Sequence, residues 1–417
     1  MRARSSLPHK AIGYGRQYVD QDDVDAVAAV LLGEALTQGP AVARFEAGLV
    51  QATGAPHAVA VANGTCALHL AYHVLGVGPG RNVLTTANTF LATATAAQMC
   101  GAALEFLDID ARTGNGVGTG NGVGTGNMDT RALETRLEHG SAPHGSTPHV
   151  VTAVHFAGLP CDMEWLIALK RRHGFLLVED AAHALGARYR VEGKWYRVGE
   201  HPEVDATILS FHPVKHVTTG EGGAVLTHDA ARAARLRRLR SHGTDPESAL
   251  VPFGAEHAGV KPAWFKPLIE LGFNYRLSDI QAALGASQLR KLPDFLEARR
   301  EIALRYLAEL RGFALPHPGE LDEREHAWHL FVIRCQPEER EELMLFLRQR
   351  DIHTQVHYYP VPLHPWFRER GAARAYPNAV AHARSCLSLP IFPSLSDEDQ
   401  GRVLTALSEW RRGRHAA

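Results

Sequence analysis

Through most of its length the chain alternates short apolar runs with longer stretches of helical spacing. "HAVAVA" is followed by "GTCALHLAYHVLG", "NVLTTA" by "FLATATAAQMCGA", and "ALEFLDI" by "DTRALETRLEHG" after an insertion. "HVVTAVHFA" precedes "DMEWLIALKRRHG", "FLLVED" precedes "AAHALG", "DATILSF" precedes a polar loop, and "GAVLTHD" leads into "AARAARLRRLRSHG". Runs this continuously apolar are strands buried on both faces, as in a mainly parallel sheet covered by helices. From Leu277 a long helical pattern begins, which Pro293 is expected to kink or divide. Beyond it, "WHLFVIRC", helical "EEREELMLFLRQR", "HTQVHYY" and "SDEDQGRVLTALSEWRRG" read as a smaller α+β unit. The expected division is an N-terminal segment with a large α/β domain over 1–294 and a small C-terminal domain over 295–417.

Composition narrows the function classes. With 417 residues and 45% apolar content the chain can bury a sizeable core, and a net charge of −1 argues against a polyanion-binding surface, so no nucleic-acid partner is expected. The five cysteines are scattered without a C-x-x-C pair, so neither a disulfide framework nor a structural zinc is expected, and a reducing, cytoplasmic setting fits. The N-terminal "MRARSSLPHKAIGYGRQ" leads into no apolar h-region, and no run is long enough to span a bilayer, so neither a signal peptide nor a membrane partner is expected. Histidines number 24, but no H-E-x-x-H occurs and no metal is expected.

One segment repeats itself. TGNGVG occurs twice and is followed by TGN, spanning Thr113 to Asn127. Every glycine in it has an even number, whereas a G-x-G-x-x-G phosphate loop needs its third glycine an odd step from its first. The segment is expected to be a flexible surface insertion with no part in catalysis.

The candidate chemistry gathers at strand ends, where open α/β sheets bind ligands. After "HAVAV" the chain turns through Asn63 and Gly64 into a helix at Thr65, whose free N–H groups and hydroxyl suit a phosphate. Asp180 ends "FLLVED"; it can cap a helix or hold a protonated heterocyclic nitrogen, and His183 can steady it. Phe90 follows another strand end and can stack on a planar ligand. Ser210 closes "DATILSF", and Lys215 follows in "SFHPVKHVTTGEGG"; a desolvated lysine there is a nucleophilic amine suited to Schiff-base chemistry. Each feature alone has an ordinary structural account. Pyridoxal 5′-phosphate uses all of them at once: donors for its phosphate, a carboxylate for its ring nitrogen, a stacking aromatic and an amine for its aldehyde. A nicotinamide oxidoreductase is excluded, because no strand-to-helix turn carries the required glycine spacing.

These residues lie in longer motifs: "LTQGP", "ANGTCAL", "VHFAGLPCDM", "VEDAAHALGARY", "SFHPVKHVTTGEGG", "LGFNYRLSDIQAALG" and "SLPIFPSLSDEDQ". In this order they resemble the DegT/DnrJ/EryC1/StrS sugar aminotransferases, within the fold type I, aspartate aminotransferase-like enzymes. The resemblance implies a mainly parallel seven-stranded sheet in the large domain, a small C-terminal α+β domain, and a homodimer with active sites at the interface. It implies Lys215 as the lysine joined to the cofactor and as the catalytic base, Asp180 on the pyridine nitrogen, His183 near the ring O3′, and Phe90 stacked on the ring. Thr65, Cys66 and Ser210 would bind phosphate, with Asn274 reaching it from the neighbouring subunit, and Arg276 would contact substrate. Relatives that dehydrate carry histidine at the lysine position, so Lys215 favours transamination. "FHPVKHVTTGEGG", "ELGFNYRLSDIQAALG" and "TQVHYYPVPLHPWF" are most similar to aminotransferases of pseudaminic acid biosynthesis, which act on the C4 ketone of a UDP-linked 6-deoxy-N-acetylhexosamine. Glutamate would be the amino donor, leaving as 2-oxoglutarate. "HAWHLFVIR" also resembles the 4-amino-arabinose type. A 3-keto-sugar or cyclitol aminotransferase, or a regulatory protein that kept the fold, are the alternatives.

Overall fold

The computed structural model describes residues 11–110, 124–139, 148–253, 262–310, 315–316, 323–369 and 375–415. Helices α1 (Gln21–Leu31) and α2 (Pro40–Thr53) come first. Strand β1 (His57–Val61) runs into α3 (Gly64–Val74), β2 (Asn82–Thr86) into α4 (Leu91–Met99), and β3 (Ala103–Leu107) precedes α5 (Thr130–His139). Then follow β4 (Val150–Val154), α6 (Met163–His173), β5 (Leu176–Asp180), the hairpin β6 (Arg188–Val191) and β7 (Lys194–Arg197), β8 (Ala206–Ser210), β9 (Gly223–Thr227) and α7 (Ala230–Leu239). The C-terminal part holds α8 (Asp279–Arg290), α9 (Leu292–Glu309), β10 (Leu315–Pro316), β11 (Arg324–Glu325), β12 (Phe331–Arg334), α10 (Arg340–Arg348), α11 (Pro365–Arg368), α12 (Pro377–Ser385), β13 (Cys386–Leu389) and α13 (Asp397–His415).

The main sheet has seven strands in the order β1-β9-β8-β5-β4-β2-β3, as the apolar runs predict. Its inter-strand pairings are parallel except those of β9, which runs antiparallel to β1 and β8. Helices cover both faces. One core joins Phe45, Leu166 and Ala282; the other joins Leu70, Ala96 and Leu236. Phe45 meets Phe211 edge-on at 5.1 Å, which fixes the chain just after β8; truncating such a ring costs about 3–5 kcal/mol.

Pro293 divides the long helical pattern. Lys291 ends α8 and starts α9, with the proline in the first turn, where its missing N–H is no loss. Leu292 belongs to the first core, whereas Ile302 and Tyr306 of α9 belong to a third, with Phe331, Leu343, Leu387 and Leu407. Three antiparallel strands, β10-β12-β13, back that third core. The β6–β7 hairpin, which pairs with β11, and strand β13 were not anticipated, and "AAHALG" forms turns, not a helix.

The repeat corrects an expectation. Residues 113–123 lie outside the described residues, but its last residues are not surface chain: Thr125 and Asn127 are buried. Asn127 Nδ2 donates to the carbonyls of Leu159 (3.0 Å) and Pro160 (3.2 Å), and its Oδ1 accepts from the Phe156 N–H at 2.8 Å. A buried amide with all these partners is a structural brace.

Candidate active site

The C-terminal ends of β1, β2, β5 and β8 meet at one edge of the sheet. Asp180 ends β5, beside β8, and is buried. Thr93 Oγ1, from α4, donates to its Oδ2 at 2.7 Å, and the Ala182 N–H donates to its Oδ1 at 3.3 Å. Two neutral donors hold the carboxylate's position without cancelling its charge, so it remains available to a cation.

Lys215 sits in the tight loop between β8 and β9. Phe211 and Gly222 close that loop through an N–H to carbonyl bond of 2.8 Å, and the Thr218 hydroxyl (3.1 Å) and Thr219 N–H (3.0 Å) both donate to the Phe211 carbonyl. His216 turns the other way and donates Nε2–H to the Ala327 carbonyl at 2.8 Å. The loop is therefore tied at both ends, and Lys215 within it is half-buried. Burial pushes the Lys215 amine down to about 7, opposed by the charge of Asp180 and assisted by that of Arg299. A lysine with that proton affinity is a usable nucleophile and base at neutral pH.

The expected phosphate seat is a sharp strand-to-helix turn. Asn63 caps α3 by accepting the Cys66 N–H at 2.9 Å, the ordinary structural account of such a turn. Thr65 is exposed and Cys66 and Ser210 are half-buried around it. A Cβ on Gly64 would lie 3.1 Å from Ser210 Cβ, so glycine allows the turn and the end of β8 to meet. Phe90 is 58% exposed, its ring uncovered at the start of α4 and 6.2 Å from Tyr358. Asn274 is exposed and Arg276 half-buried; the Tyr275 carbonyl between them accepts the Ala62 N–H at 2.9 Å, so this loop abuts the turn.

The opposite wall comes from the C-terminal part, and sequence reasoning assigned it no role. Tyr358 OH lies 3.1 Å from His183 Nε2, and the His329 ring lies 4.3 Å from that of His183. Asn88 Oδ1 accepts the Tyr358 N–H at 3.1 Å. Burial, assisted by the charge of Lys215, holds His183 well below the usual imidazole range; it does the same to His329, and it pushes His357 to about 3. These imidazoles are neutral at pH 7. His183 Nδ1 and His329 Nδ1 are buried with no partner among the described residues. The quoted "HAWH" and "TQVHYY" contained this wall, but only packing brings them to it.

This donor set fits pyridoxal 5′-phosphate. Asp180 suits its ring nitrogen, Lys215 its aldehyde, Phe90 its face, the Asn63–Cys66 turn and Ser210 its phosphate, and the unpartnered His183 Nδ1 a ring oxygen. Among the described residues no cluster could hold a metal ion, and no helix is long and apolar enough to cross a membrane.

Comparison with known proteins agrees with this reading. The DegT/DnrJ/EryC1/StrS aminotransferase family matches residues 17–408. Among solved structures, Helicobacter pylori PseC, an aminotransferase of pseudaminic acid biosynthesis, superposes with a TM-score of 0.82 at 27% identity, covering 96% of this chain and 99% of that one. A putative sugar aminotransferase of Streptococcus pneumoniae, Spr1654, solved in its PLP form, gives 0.81 at 26% identity, covering 95% and 97%. DesV of S. venezuelae gives 0.78 at 32% identity, covering 93% and 94%. The chain belongs to the DegT/DnrJ/EryC1/StrS family of sugar aminotransferases.

Proposed function

We propose that this enzyme uses pyridoxal 5′-phosphate to move an amino group from glutamate to the C4 ketone of a nucleotide-linked sugar. The expected acceptor is a UDP-linked 4-keto-6-deoxy-N-acetylhexosamine of the pseudaminic acid route. The observation that carries the reading is a desolvated lysine, Lys215, under the influence of the buried Asp180, in a pocket whose remaining titratable wall is neutral histidine. The likeness to PseC supports the acceptor.

Bound in this pocket, the cofactor supplies an aldehyde for amine capture and a ring that withdraws electrons from the reacting carbon. Asp180 holds the ring nitrogen protonated, and Thr93 keeps that carboxylate in place. Phe90 and His183 fix the ring, while Thr65, Cys66 and Ser210 hold the phosphate, with Asn274 of the partner subunit completing it in a homodimer. Lys215 Nζ, neutral near pH 7, accepts the α-proton of the amino donor and returns a proton on the acceptor side. Arg276 contacts the acceptor. Five free thiols support a cytoplasmic setting.

The stretch "HAWHLFVIR" also resembles the 4-amino-arabinose type, so one second reading is amination of a different sugar. Purified enzyme with glutamate and a panel of UDP- and dTDP-keto sugars, read by mass spectrometry, separates them. An aminated UDP-4-keto product is expected, and conversion of dTDP sugars alone would replace the acceptor. Lys215→Ala is expected to give no product from any donor; normal turnover in that variant would refute the active site.

A further inference from the structure

Arg299 lies on α9 and is 0% exposed, yet among the described residues no carboxylate pairs with it. Its Nη1 donates to three carbonyls: Trp328 at 3.2 Å, His329 at 3.3 Å and Ile391 at 3.1 Å. Its Nε and Nη2 have no partner among the described residues. Burial pushes the guanidinium down to about 10, so it stays charged at neutral pH. A bare charge is a poor choice for simple carbonyl bracing, because burying it costs more than burying a neutral amide.

The segment that Arg299 grips is unusual. Trp328 has a left-handed backbone, φ 49, stacks on His326 at 3.9 Å, and donates its N–H to His326 Nδ1 at 2.8 Å. The segment is docked on the far side by Ala327 N–H to the Gly158 carbonyl (2.9 Å) and Leu330 N–H to the Ala157 carbonyl (3.1 Å). His216, next to Lys215, donates to Ala327 in the same segment. One guanidinium thus holds the turn that carries His329 against His183, and the same turn is tied to the lysine loop.

We propose that Arg299 is a positioning residue for the lysine chemistry: it clamps the Trp328–His329 turn, which presents His329 beside His183 and is tied through His216 to the loop of Lys215. The charge works against the proton on Lys215, as Asp180 works for it. His183, His216, His329 and His357, neutral by burial, face this region together with His326 and Tyr358; burial acts most strongly on the amine, and Asp180 and Arg299 act on it after that as opposed charges. The proposal rests on Lys215 being the reactive lysine; failure of that premise shows separately, as unchanged turnover in Lys215→Ala.

The test compares Arg299→Gln and Arg299→Lys with the unaltered protein. Competitive acetylation of cofactor-free protein, read at Lys215 by mass spectrometry across pH, should show a higher titration midpoint in Arg299→Gln, because a repelling charge is gone. Arg299→Lys keeps the charge and should leave the midpoint near that of the unaltered protein. In the holoenzyme both variants should lose kcat, up to about 100-fold for a displaced group, with a smaller change in KM. His329→Ala should lose a comparable factor, and combining it with Arg299→Gln should add little, since the arginine acts through that turn. An unchanged midpoint in folded Arg299→Gln, or fully multiplicative losses in the double variant, would overturn the proposal. Recovery of both arginine variants only as unfolded protein would assign Arg299 a purely structural role and overturn it as well.

Discussion

The two walls of the pocket are built on opposite principles. The strand-end wall carries an acid and an amine: Asp180 at the end of β5 and Lys215 after β8. The C-terminal wall is made of His329, His357 and Tyr358, which burial keeps uncharged, with the charged Arg299 set behind them. Each wall mixes buried and half-buried groups, so the difference lies in compensation. On the first wall the charge of Asp180 acts on Lys215, whereas among the described residues no acid acts on His183, His329 or His357, which give up their protons. One wall can therefore supply charge and a mobile proton, and the other can supply neutral hydrogen-bonding groups for a sugar.

The largest test of that contrast is Asp180→Asn. It removes the charge but keeps the shape, and kcat should fall on the order of 100-fold, as for loss of a preorganised electrostatic partner. A loss under about tenfold would mean that the charge of this wall is incidental. Tyr358→Phe probes the neutral wall. It deletes the hydroxyl facing His183, and a single hydrogen bond of about 1 kcal/mol corresponds to roughly a fivefold fall in kcat. A fall as large as that of Asp180→Asn would erase the distinction between the walls.

Asn127→Ala strips three partners from the brace beneath both walls and should lower stability by about 3 kcal/mol, measured as a shift in the unfolding midpoint. The smallest effect concerns Lys215→Met in cofactor-free protein. The folded amine sits at about 7 against the ordinary lysine value of 10.5, so the unfolded chain binds more protons between those values. The cost of Lys215 to folding is fully present below pH 7 and fades as pH rises through 10.5. Lys215→Met should accordingly raise the melting temperature at pH 7 and less so at pH 10. A gain independent of pH would show that the amine is not desolvated.

The same contrast explains what could be read along the chain. Asp180 and Lys215 interrupt long apolar runs, so each stands out beside its own strand, and the seven strands were legible from their continuous burial. Arg299 lies in "EARREIALRYLAEL", where neighbouring charges make it look like a solvent-facing residue; only the docking of α9 on the third core buries it. His329 and Tyr358 reach His183 from more than a hundred residues downstream, with no local periodicity to mark them. Asn127 was hidden by a repeat whose composition suggested idle chain, although its side chain is among the better satisfied in the interior. The β6–β7 hairpin alternates too weakly to be separated from loop.

Gly158 has φ 102, and a Cβ there would come within 2.8 Å of the His183 carbonyl and 3.0 Å of the His329 N–H. Three segments distant in the chain therefore share a space with no room for a methyl group. For protein engineering this fixes where the enzyme can be cut and rejoined. A chimera that takes its C-terminal part from a relative to change the sugar accepted must inherit the 156–158 turn, His183 and Arg299 from the same donor. Splicing at the exposed loops alone would mix two incompatible halves of one joint.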